Sequence, residues 1–184
     1  ANVILNSQVS ADQEVTLTGK KGLIAGGSVH GMLGISCITA GNMSEIRTGL
    51  HVGLKQETME QRIDVNERYS KVNQELEDTV ASMAKIMRVR QQSGELSEPL
   101  QKHLVELKRR KDEIYTRCME IKKEANAMES MVLAAREAKI RVEGNIYHGV
   151  VISIDNHDMV INRDTSFMEY QCQNGIITGT VVVV

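Results

Sequence analysis

Histidines and aspartates are the side chains of this 184-residue sequence best suited to metal binding or acid–base chemistry. A metal site needs three or four converging ligands and further groups that orient them. The sequence contains no HxH or HxxxH spacing, so no metal site is predicted. Asp155 and Asp158 stand beside His157 in the sequence, and pairing between strands that are distant in sequence could still bring two of the other candidates together. The candidates in the glycine-rich parts of the chain are His30, His51, His148, His157, Asp155 and Asp158.

Two segments, Gly19-Lys20-Lys21-Gly22 and Gly26-Gly27, combine glycine with nearby lysine, as phosphate-binding loops do. Neither completes the GxxxxGK[ST] motif, and neither forms a GxGxxG motif that opens a helix. Because glycine tolerates positive φ, both segments are interpreted as turns. No cofactor is predicted, and no catalytic residue is assigned.

The cysteines Cys37, Cys118 and Cys172 are odd in number and widely spaced. They form neither a CxxC metal pair nor a disulfide framework. We interpret them as small buried thiols of a protein in a reducing compartment.

The composition excludes several classes of protein. A formal net charge of -2 leaves no excess of Lys and Arg to neutralise nucleic-acid phosphates. No apolar run approaches the roughly 18 residues of a membrane span. Aromatic residues make up 3% of the chain, so a stacking site for a small molecule is not expected. The sequence begins Ala1-Asn2 without Met or a signal segment, and we interpret it either as a processed chain or, in preference, as a piece excised from a longer protein.

Glycine and charge divide the sequence into three segments. Of its 14 glycines, only Gly94 lies between Gly53 and Gly144. Most charged residues lie in 54–137, where acidic and basic residues are equally numerous, as on solvated helix faces. The sequence therefore predicts a helical insert at 54–137 that interrupts a discontinuous β body formed by 1–53 and 138–184.

Apolar residues of the insert recur at alternating steps of four and three, the spacing of a left-handed coiled coil. Gly94 suits the C′ position of a first helix, Ser97 the N-cap of a second, and Pro99 its first turn. These signals predict a long antiparallel coiled-coil helical hairpin. The predicted interface positions are Val65, Tyr69, Val72, Leu76, Thr79, Met83 and Ile86, then Leu100, Leu104, Leu107, Lys111, Ile114, Cys118, Ile121, Ala125, Met128, Val132 and Ala135.

The two predicted arms are of similar length, about 40 residues or roughly 60 Å each. Equal antiparallel arms return the chain to the place where it left. Val52 and Ile140 are therefore predicted to be close in space, and the β segments on either side of the insert to form one body.

Short alternating strands separated by glycines predict the β body. Scarce aromatics and glycine turns favour a β-solenoid with an interior of Val, Ile and Leu, although periodicity leaves a sandwich or small barrel open. Gln173-Asn174-Gly175 predicts a C-terminal β-hairpin, and the valine run 181–184 an exposed edge. The predicted strands are 3–5, 15–18, 23–25, 35–38, 46–52, 140–142, 150–154, 167–172 and 176–184.

The basic run Lys108-Arg109-Arg110-Lys111 is a candidate for contact with phosphate or acidic lipid. Asp112 and Glu113 follow immediately, so the run is interpreted as a solvated helix face. Lys111 falls at a predicted interface position, where one polar residue can fix register or oligomeric state.

Three parts of the sequence resemble the bacterial flagellar assembly protein A family. The first contains KGLIAGGSV (21–29), GN (41–42) and LHVG (50–53), and a long charged coiled coil follows there in the family too. The second, IRVEGNIYHGVVISI (140–154), is similar to the family's glycine-tyrosine-proline-glycine-valine strand signature. The ending 167–177 also fits, so the resemblance covers nearly the whole chain.

The resemblance implies a right-handed β-solenoid interrupted by the coiled-coil hairpin, without the family's N-terminal domain. It also implies a non-enzymatic, cytoplasmic bacterial protein tied to flagellar assembly or placement, with the cell pole among its expected locations. The sequence departs from the family at His148, usually Pro, and at Gly31, often a small residue such as Ala. Both are interpreted as changes of the backbone alone.

Two functional hypotheses follow. In the first, the chain is a structural or scaffolding protein whose hairpin is an arm for partner helices or a second copy. It would bind proteins, and neither nucleic acid nor a small-molecule substrate. In the second, it is a β-solenoid enzyme or carbohydrate-binding module with a site on the solenoid face. The irregular glycine spacing and the few acids of the flanks argue against the second, and a buried cluster of His and Asp would favour it.

Overall fold

Eleven strands belong to one sheet, and two helices interrupt it, in the computed structural model, which describes residues 2–182. Ala1 and the end of the predicted valine edge, Val183 and Val184, lie outside the described residues. The strands are β1 (Val3–Ala11), β2 (Glu14–Thr16), β3 (Leu23–Gly31), β4 (Gly34–Cys37), β5 (Thr39–Ala40), β6 (Thr48–Val52), β7 (Lys139–Ile146), β8 (Val151–Ile154), β9 (His157–Val160), β10 (Thr165–Gln173) and β11 (Ile176–Val181).

The sheet winds in successive turns, or rungs, that present three faces. Face 1 contains the first parts of β1 and β3, then β5 and the end of β7. Face 2 contains the second parts of β1 and β3, then β6 and β8. Face 3 contains β2, β4 and the start of β7. Neighbouring rungs pair in parallel on every face, and the antiparallel strands β9, β10 and β11 follow the last rung.

Stacks of branched aliphatic side chains fill the interior, with one residue from each rung. On face 2 the stack contains Val9, Val29, Leu50 and Ile152, and the last three are fully buried. Each fully buried side chain of this kind contributes about 1.5–3 kcal/mol by leaving water. Equivalent stacks contain Ile4, Ile24, Ala40 and Ile146 on face 1, and Val15, Ile35 and Ile140 on face 3.

The helices occupy one turn of the third rung, between faces 2 and 3. In the first rung this turn consists of residues 12–13, between β1 and β2, and in the second of residues 32–33, between β3 and β4. In the third rung, residues 53–138 fill the same gap, between β6 and β7. The whole insert therefore stands where the other rungs have a two-residue turn.

Strand register continues across this insertion. Gly31 pairs with Val52 at the end of face 2, and Gly34 pairs with Lys139 at the start of face 3. A two-residue turn spans three Cα–Cα steps, or at most about 11 Å. The insert must therefore leave and re-enter the solenoid at almost the same place.

The turn of the second rung is apolar and lies in a small separate cluster. Met32 and Leu33 pack there with Leu54, which precedes the first helix, and with residues at the end of the second helix. The equivalent residues of the first rung, Asp12 and Gln13, are exposed. The helix residues of the cluster are Met131, Val132 and Ala135.

The two helices, α1 (Gln56–Ser93) and α2 (Glu98–Ala135), contain 38 residues each. Gly94, with a φ of 76°, follows α1 and donates its N–H to the carbonyl O of Arg90. Ion pairs Arg62–Glu129 and Arg68–Glu124 join the start of α1 to the end of α2, so the helices run antiparallel. Two antiparallel helices of equal length fit the predicted hairpin.

Every buried residue of the two helices stands at one of the predicted interface positions. Val65, Thr79 and Ile86 are buried on α1, and Lys111 is half-buried on α2. The buried residues of α2 are Leu104, Leu107, Ile114, Cys118, Ile121, Val132 and Ala135.

Contacts divide the described residues into two units, 2–56 with 131–182 and 57–130. The first unit contains all the strands and the second contains most of both helices. Independent folding of the predicted domains, with boundaries at 53/54 and 137/138, stays a prediction.

Several predicted strand boundaries were wrong. The strand predicted at 46–52 begins at Thr48, because the Ile46 N–H donates to Asn42 Oδ1 within a loop. The strand predicted at 15–18 ends at Thr16. Strand β9 was missed altogether, although Asp155 and Asn156 form the tight turn before it with φ values of 49° and 61°.

A methyl group at Gly27 is expected to destabilise the solenoid strongly. Gly27 has a φ of 83°, and a Cβ there would overlap the backbone of Ser7 in the neighbouring rung. Gly149 has a φ of 81°, but a Cβ there would meet nothing within 4 Å. Gly149→Ala should cost about 1 kcal/mol of backbone strain and Gly27→Ala about 3 kcal/mol or more, measured by denaturant unfolding. Equal costs would contradict the close packing of the first two rungs.

The solenoid is expected to fold without the second unit. Replacing residues 57–130 by a short Gly-Ser linker keeps Leu54, Val132 and Ala135 against Met32, and leaves every strand in place. Far-UV circular dichroism should show a β protein with cooperative thermal unfolding. A remainder without a cooperative transition would refute the separation of the two units.

Candidate functional site

A row of polar side chains crosses the outer surface of face 2. Strand register aligns Ser10, His30, His51 and Ser153 on four parallel strands, and Asp158 on β9 continues the row. Neighbouring strands lie about 4.8 Å apart. Two histidines that are far apart in the sequence therefore become neighbours in the fold.

The imidazole of His30 is held by the first residue of the insert. Its Nε2 lies 3.0 Å from the carbonyl O of Gly53, so Nε2–H donates and Nδ1 carries no proton in the neutral ring. Nδ1 is buried and has no hydrogen-bond partner among residues 2–182. Burial lowers the pKa of His30, and the bond to Gly53 opposes this only in part. The ring is therefore neutral at pH 7.

The ring of His51 lies over Gly49 on the same strand, where a Cβ would overlap Nε2. Burial lowers the pKa of His51, and the negative charge of Asp158 opposes this. Gln8, Ser28 and His51 border two adjoining hollows of about 630 and 340 Å³. Together these hollows form an open polar groove on face 2.

The groove is suited to hydrogen bonding with a polar ligand. It presents neutral imidazoles, the hydroxyls of Ser10, Ser28 and Ser153, and the amide of Gln8, with Lys55 as a positive charge. In the described part of the chain, no three His, Cys, Asp or Glu side chains are arranged to hold a metal ion. The two histidines by themselves provide fewer ligands than a stable zinc site uses.

His148 forms an ion-pair cluster that the sequence did not predict. Its Nδ1 lies 3.0 Å from Asp164 Oδ1 and its Nε2 2.9 Å from Glu45 Oε1. An imidazole donates through both nitrogens only when protonated, so hydrogen bonds to Asp164 and Glu45 raise the pKa of His148. Backbone and ring hydrogen bonds from His148 lower the pKa of Asp164. The interpretation of His148 as a change of the backbone alone was incomplete, since its side chain links two loops.

His157, Asp155 and Asp158 do not form one site. His157 Nδ1 lies 2.9 Å from the carbonyl O of Asp155 and 4.0 Å from Cys172 Sγ. Nδ1–H donates to that carbonyl, so this nitrogen does not act as a base for the thiol. Burial raises the pKa of the Asp155 carboxyl. Asp158 belongs instead to the row on face 2.

All three cysteines are free. Cys37 packs in the solenoid core, and burial raises its pKa to about 12, so its thiol stays protonated. Cys118 is buried between the helices, and Cys172 is half-buried. The two buried cysteines, Cys37 and Cys118, are therefore packing residues rather than nucleophiles.

The glycine–lysine segments are parts of turns and bends. Gly22, Gly26 and Gly27 all have positive φ. A Cβ at Gly26 would overlap the side chain of Asn6, which makes the equivalent bend in the first rung. These glycines therefore serve close packing between rungs.

The basic run on α2 is largely engaged in ion pairs. Arg109 pairs with Glu106 and Glu113 on its own helix, at 2.7 Å each. Arg110 pairs across to Glu75 at 2.9 Å. These charges are matched within the helical pair, as on a solvated face.

Glu75 is the centre of the cross-helix ion pairs. It accepts from Arg110 and from Arg117, the latter at 2.6 Å, and the hydrogen bond from Arg110 is the main reason that its pKa is lowered. Exposed pairs of this kind add little stability. Their larger effect is to fix how far α1 is shifted along α2. Lys111 turns its ammonium outward to Asp112 Oδ1, 2.9 Å away.

The row on face 2 and the cluster around His148 depend on long-range strand pairing, which the sequence does not show directly. Ser10, His30 and His51 recur about once per rung, a spacing that a search for repeats of about 20 residues could have found. Glu45 and Asp164 carry no local signal of their contact with His148.

Parallel strands stacked in successive rungs around aliphatic stacks define a β-solenoid protein. The comparisons with known proteins give the same class. A family model described as FapA, flagellar assembly protein A beta solenoid domain, matches residues 1–177. The chain therefore belongs to the flagellar assembly protein A family, and the predicted family and β-solenoid fold are confirmed.

Comparison with curated proteins found no match, and comparison with solved structures found none either. The family description associates the chain with flagellar assembly. Neither described helix combines the length and apolar character needed to cross a membrane.

The cluster around His148 is expected to titrate with a raised pKa. Because the pKa of His148 lies above its free value of 6.5, the cluster stabilises the fold fully below pH 6.5. This stabilisation is lost as the pH rises through the raised value, and the lowered pKa of Asp164 keeps it present down to acid pH. NMR titration of the His148 ring should show the raised pKa, and Glu45→Gln with Asp164→Asn should return it toward 6.5. An unchanged pKa in that double variant would rule out the ion pairs.

Proposed function

We propose that this chain is a non-enzymatic scaffolding protein of flagellar assembly that acts through protein–protein contacts of its helices. The observation that carries the proposal is the insertion of residues 53–138 at one turn without a change of strand register. Since a two-residue turn closes the same gap in the other rungs, the solenoid does not need the helices for its own pairing. Their surface is available for partners.

Two finer features of the fold belong to this proposal. The helices form an antiparallel coiled coil, which is supported by buried positions at alternating steps of three and four and by the cross-helix ion pairs of Glu75. The solenoid is right-handed, as connections between parallel strands of one sheet nearly always are.

The expected partners are proteins, including further copies of the chain, rather than nucleic acids or small-molecule substrates. The net charge of -2 and the matched charges of Arg109 and Arg110 support this choice. The Cys37 thiol stays protonated and His157 Nδ1–H is bound to a carbonyl, which supports a role without catalysis by these two groups. Three free thiols support a cytoplasmic location, with the cell pole as a place of action.

Removal of the second unit is expected to abolish the flagellar role. A host strain that lacks its own copy of the gene should regain flagella and motility with the full chain. It should not regain them with the variant in which a linker replaces 57–130. Equal abundance of both proteins, checked by immunoblot, makes the comparison fair. Full motility with the shortened chain would contradict the proposal.

The polar groove on face 2 supports a second candidate, a ligand-binding module of the solenoid. His30→Ala with His51→Ala removes both imidazoles from the groove and leaves the helices unchanged. If the groove carried the function, this variant would fail in the motility assay while the shortened chain succeeded. Scaffolding by the helices predicts that the histidine variant restores motility and that the shortened chain does not.

A further inference from the structure

One side of the helical pair exposes large apolar side chains to solvent. Their exposed fractions run from 38% at Met59 to 67% at Val105, on helices that otherwise carry dense charge. Exposed apolar side chains that collect on one side of a helical pair mark an interaction site. We define the apolar helix face as Met59, Ile63, Val80, Ala84 and Met87 of α1 with Val105, Tyr115 and Met119 of α2.

Heptad geometry places these residues on the same side. With Thr79 and Ile86 at d positions, Val80 and Met87 stand at e, and with Cys118 at a, Met119 stands at b. In an antiparallel pair, the e positions of both helices border one edge of the interface and the g positions border the other. The b positions lie next to e and widen that edge into a face.

The opposite edge of the helical pair is filled by charge. The cross-helix pairs Arg68–Glu124 and Glu75–Arg117 join g positions there. Within residues 57–130, Val89 is the one exposed large apolar residue outside the apolar helix face. The ion pairs of the g edge are thus formed within the chain, while the apolar side chains of the e edge are exposed to water.

The size of the apolar helix face matches a stable protein interface. From Met59 to Met87, with the polar stretch between Ile63 and Val80 included, the face is about 42 Å long at 1.5 Å per residue, and two helices side by side are roughly 20 Å wide. The product, roughly 800 Å² per copy, is the area that each partner buries in a standard interface.

The charges of the face favour a second copy of this chain as the occupant. The acidic groups of the face are Glu77 on α1 and Asp112 and Glu129 on α2, and its basic groups are Lys108 and Lys122 on α2, so both signs are present in small number. Such a face is complementary to itself, whereas a strongly acidic or basic partner would meet like charge. Asn66, Ser70 and Asn73 continue the face with uncharged polar groups.

We infer that two copies of this chain pair through the apolar helix face and form a four-helix bundle about a two-fold axis. The inference rests on the proposed function, in which the helices make protein contacts, and it names their partner. Burial of the face removes the apolar side chains of both copies from water and leaves the ion-paired edges outside.

Light scattering coupled to gel filtration, with sedimentation equilibrium for affinity, tests the pairing on the full chain. The expected mass is twice the 20.5 kDa of one chain. Val80→Glu places a charge in the interface and should weaken the dimer at least tenfold. Val89→Glu is the matched control, because Val89 is exposed on the same helix to a similar extent, 43% against 47%, but on the other edge. Circular dichroism should show that both variants keep their helices.

A second pair of variants tests the same face on α2. Met119→Glu should weaken the dimer, and Ala127→Glu, at an exposed c position beside the ion-paired edge, should not. A monomeric full chain at about 100 μM, or equal weakening by Val80→Glu and Val89→Glu, would overturn the inference. A monomer that still needs 57–130 for motility would refute the dimer and leave the proposed function standing. A dimer whose helices are dispensable for motility would refute the proposed function alone.

Discussion

Parallel register between rungs is the constraint on which the rest of the structure depends. Val52 and Lys139 must sit at the two sides of a gap that two residues span in the other rungs, because Gly31 and Gly34 fix their positions. Any insert in this gap has to return to its origin. Two antiparallel helices of 38 residues each meet that requirement, and a single helix would not. A helical insert at this turn therefore requires two helices of equal length. Because the helices are equal, the strands on either side of them keep the register of the solenoid.

Local patterns predicted the helices better than the strands. The alternating repeat extends over many turns of helix, so individual exceptions such as Lys111 do not obscure it. Strand ends depend on hydrogen bonds that no periodicity reveals. Thr48 starts β6 because its side-chain oxygen accepts from the Gly26 N–H in the rung below, while Ile46 is held in the loop by Asn42. The Asp-Asn pair at 155–156 was a readable turn signal.

Of the candidate surfaces, those that depend on long-range pairing could not be predicted from the sequence. The groove on face 2 arises because rungs of similar length bring His30 beside His51, and rung length emerges only from long-range pairing. The cluster of Glu45, His148 and Asp164 joins three loops that are distant in sequence. By contrast, the apolar helix face is encoded in the heptad pattern itself and could be found by recording which e and b positions are apolar.

A disulfide across the insertion tests the register most directly. Ser36 and Arg141 are partners on adjacent parallel strands, about 4.8 Å apart, within the Cα range of a disulfide. In a chain with Cys172→Ser, cysteines at 36 and 141 should link on mild oxidation, as seen by peptide mass. Cysteines at 36 and 143 lie about 7 Å further out of register along the strand and should not link. No link at 36–141, or equal linking in both pairs, would contradict a solenoid rung that continues across the helices.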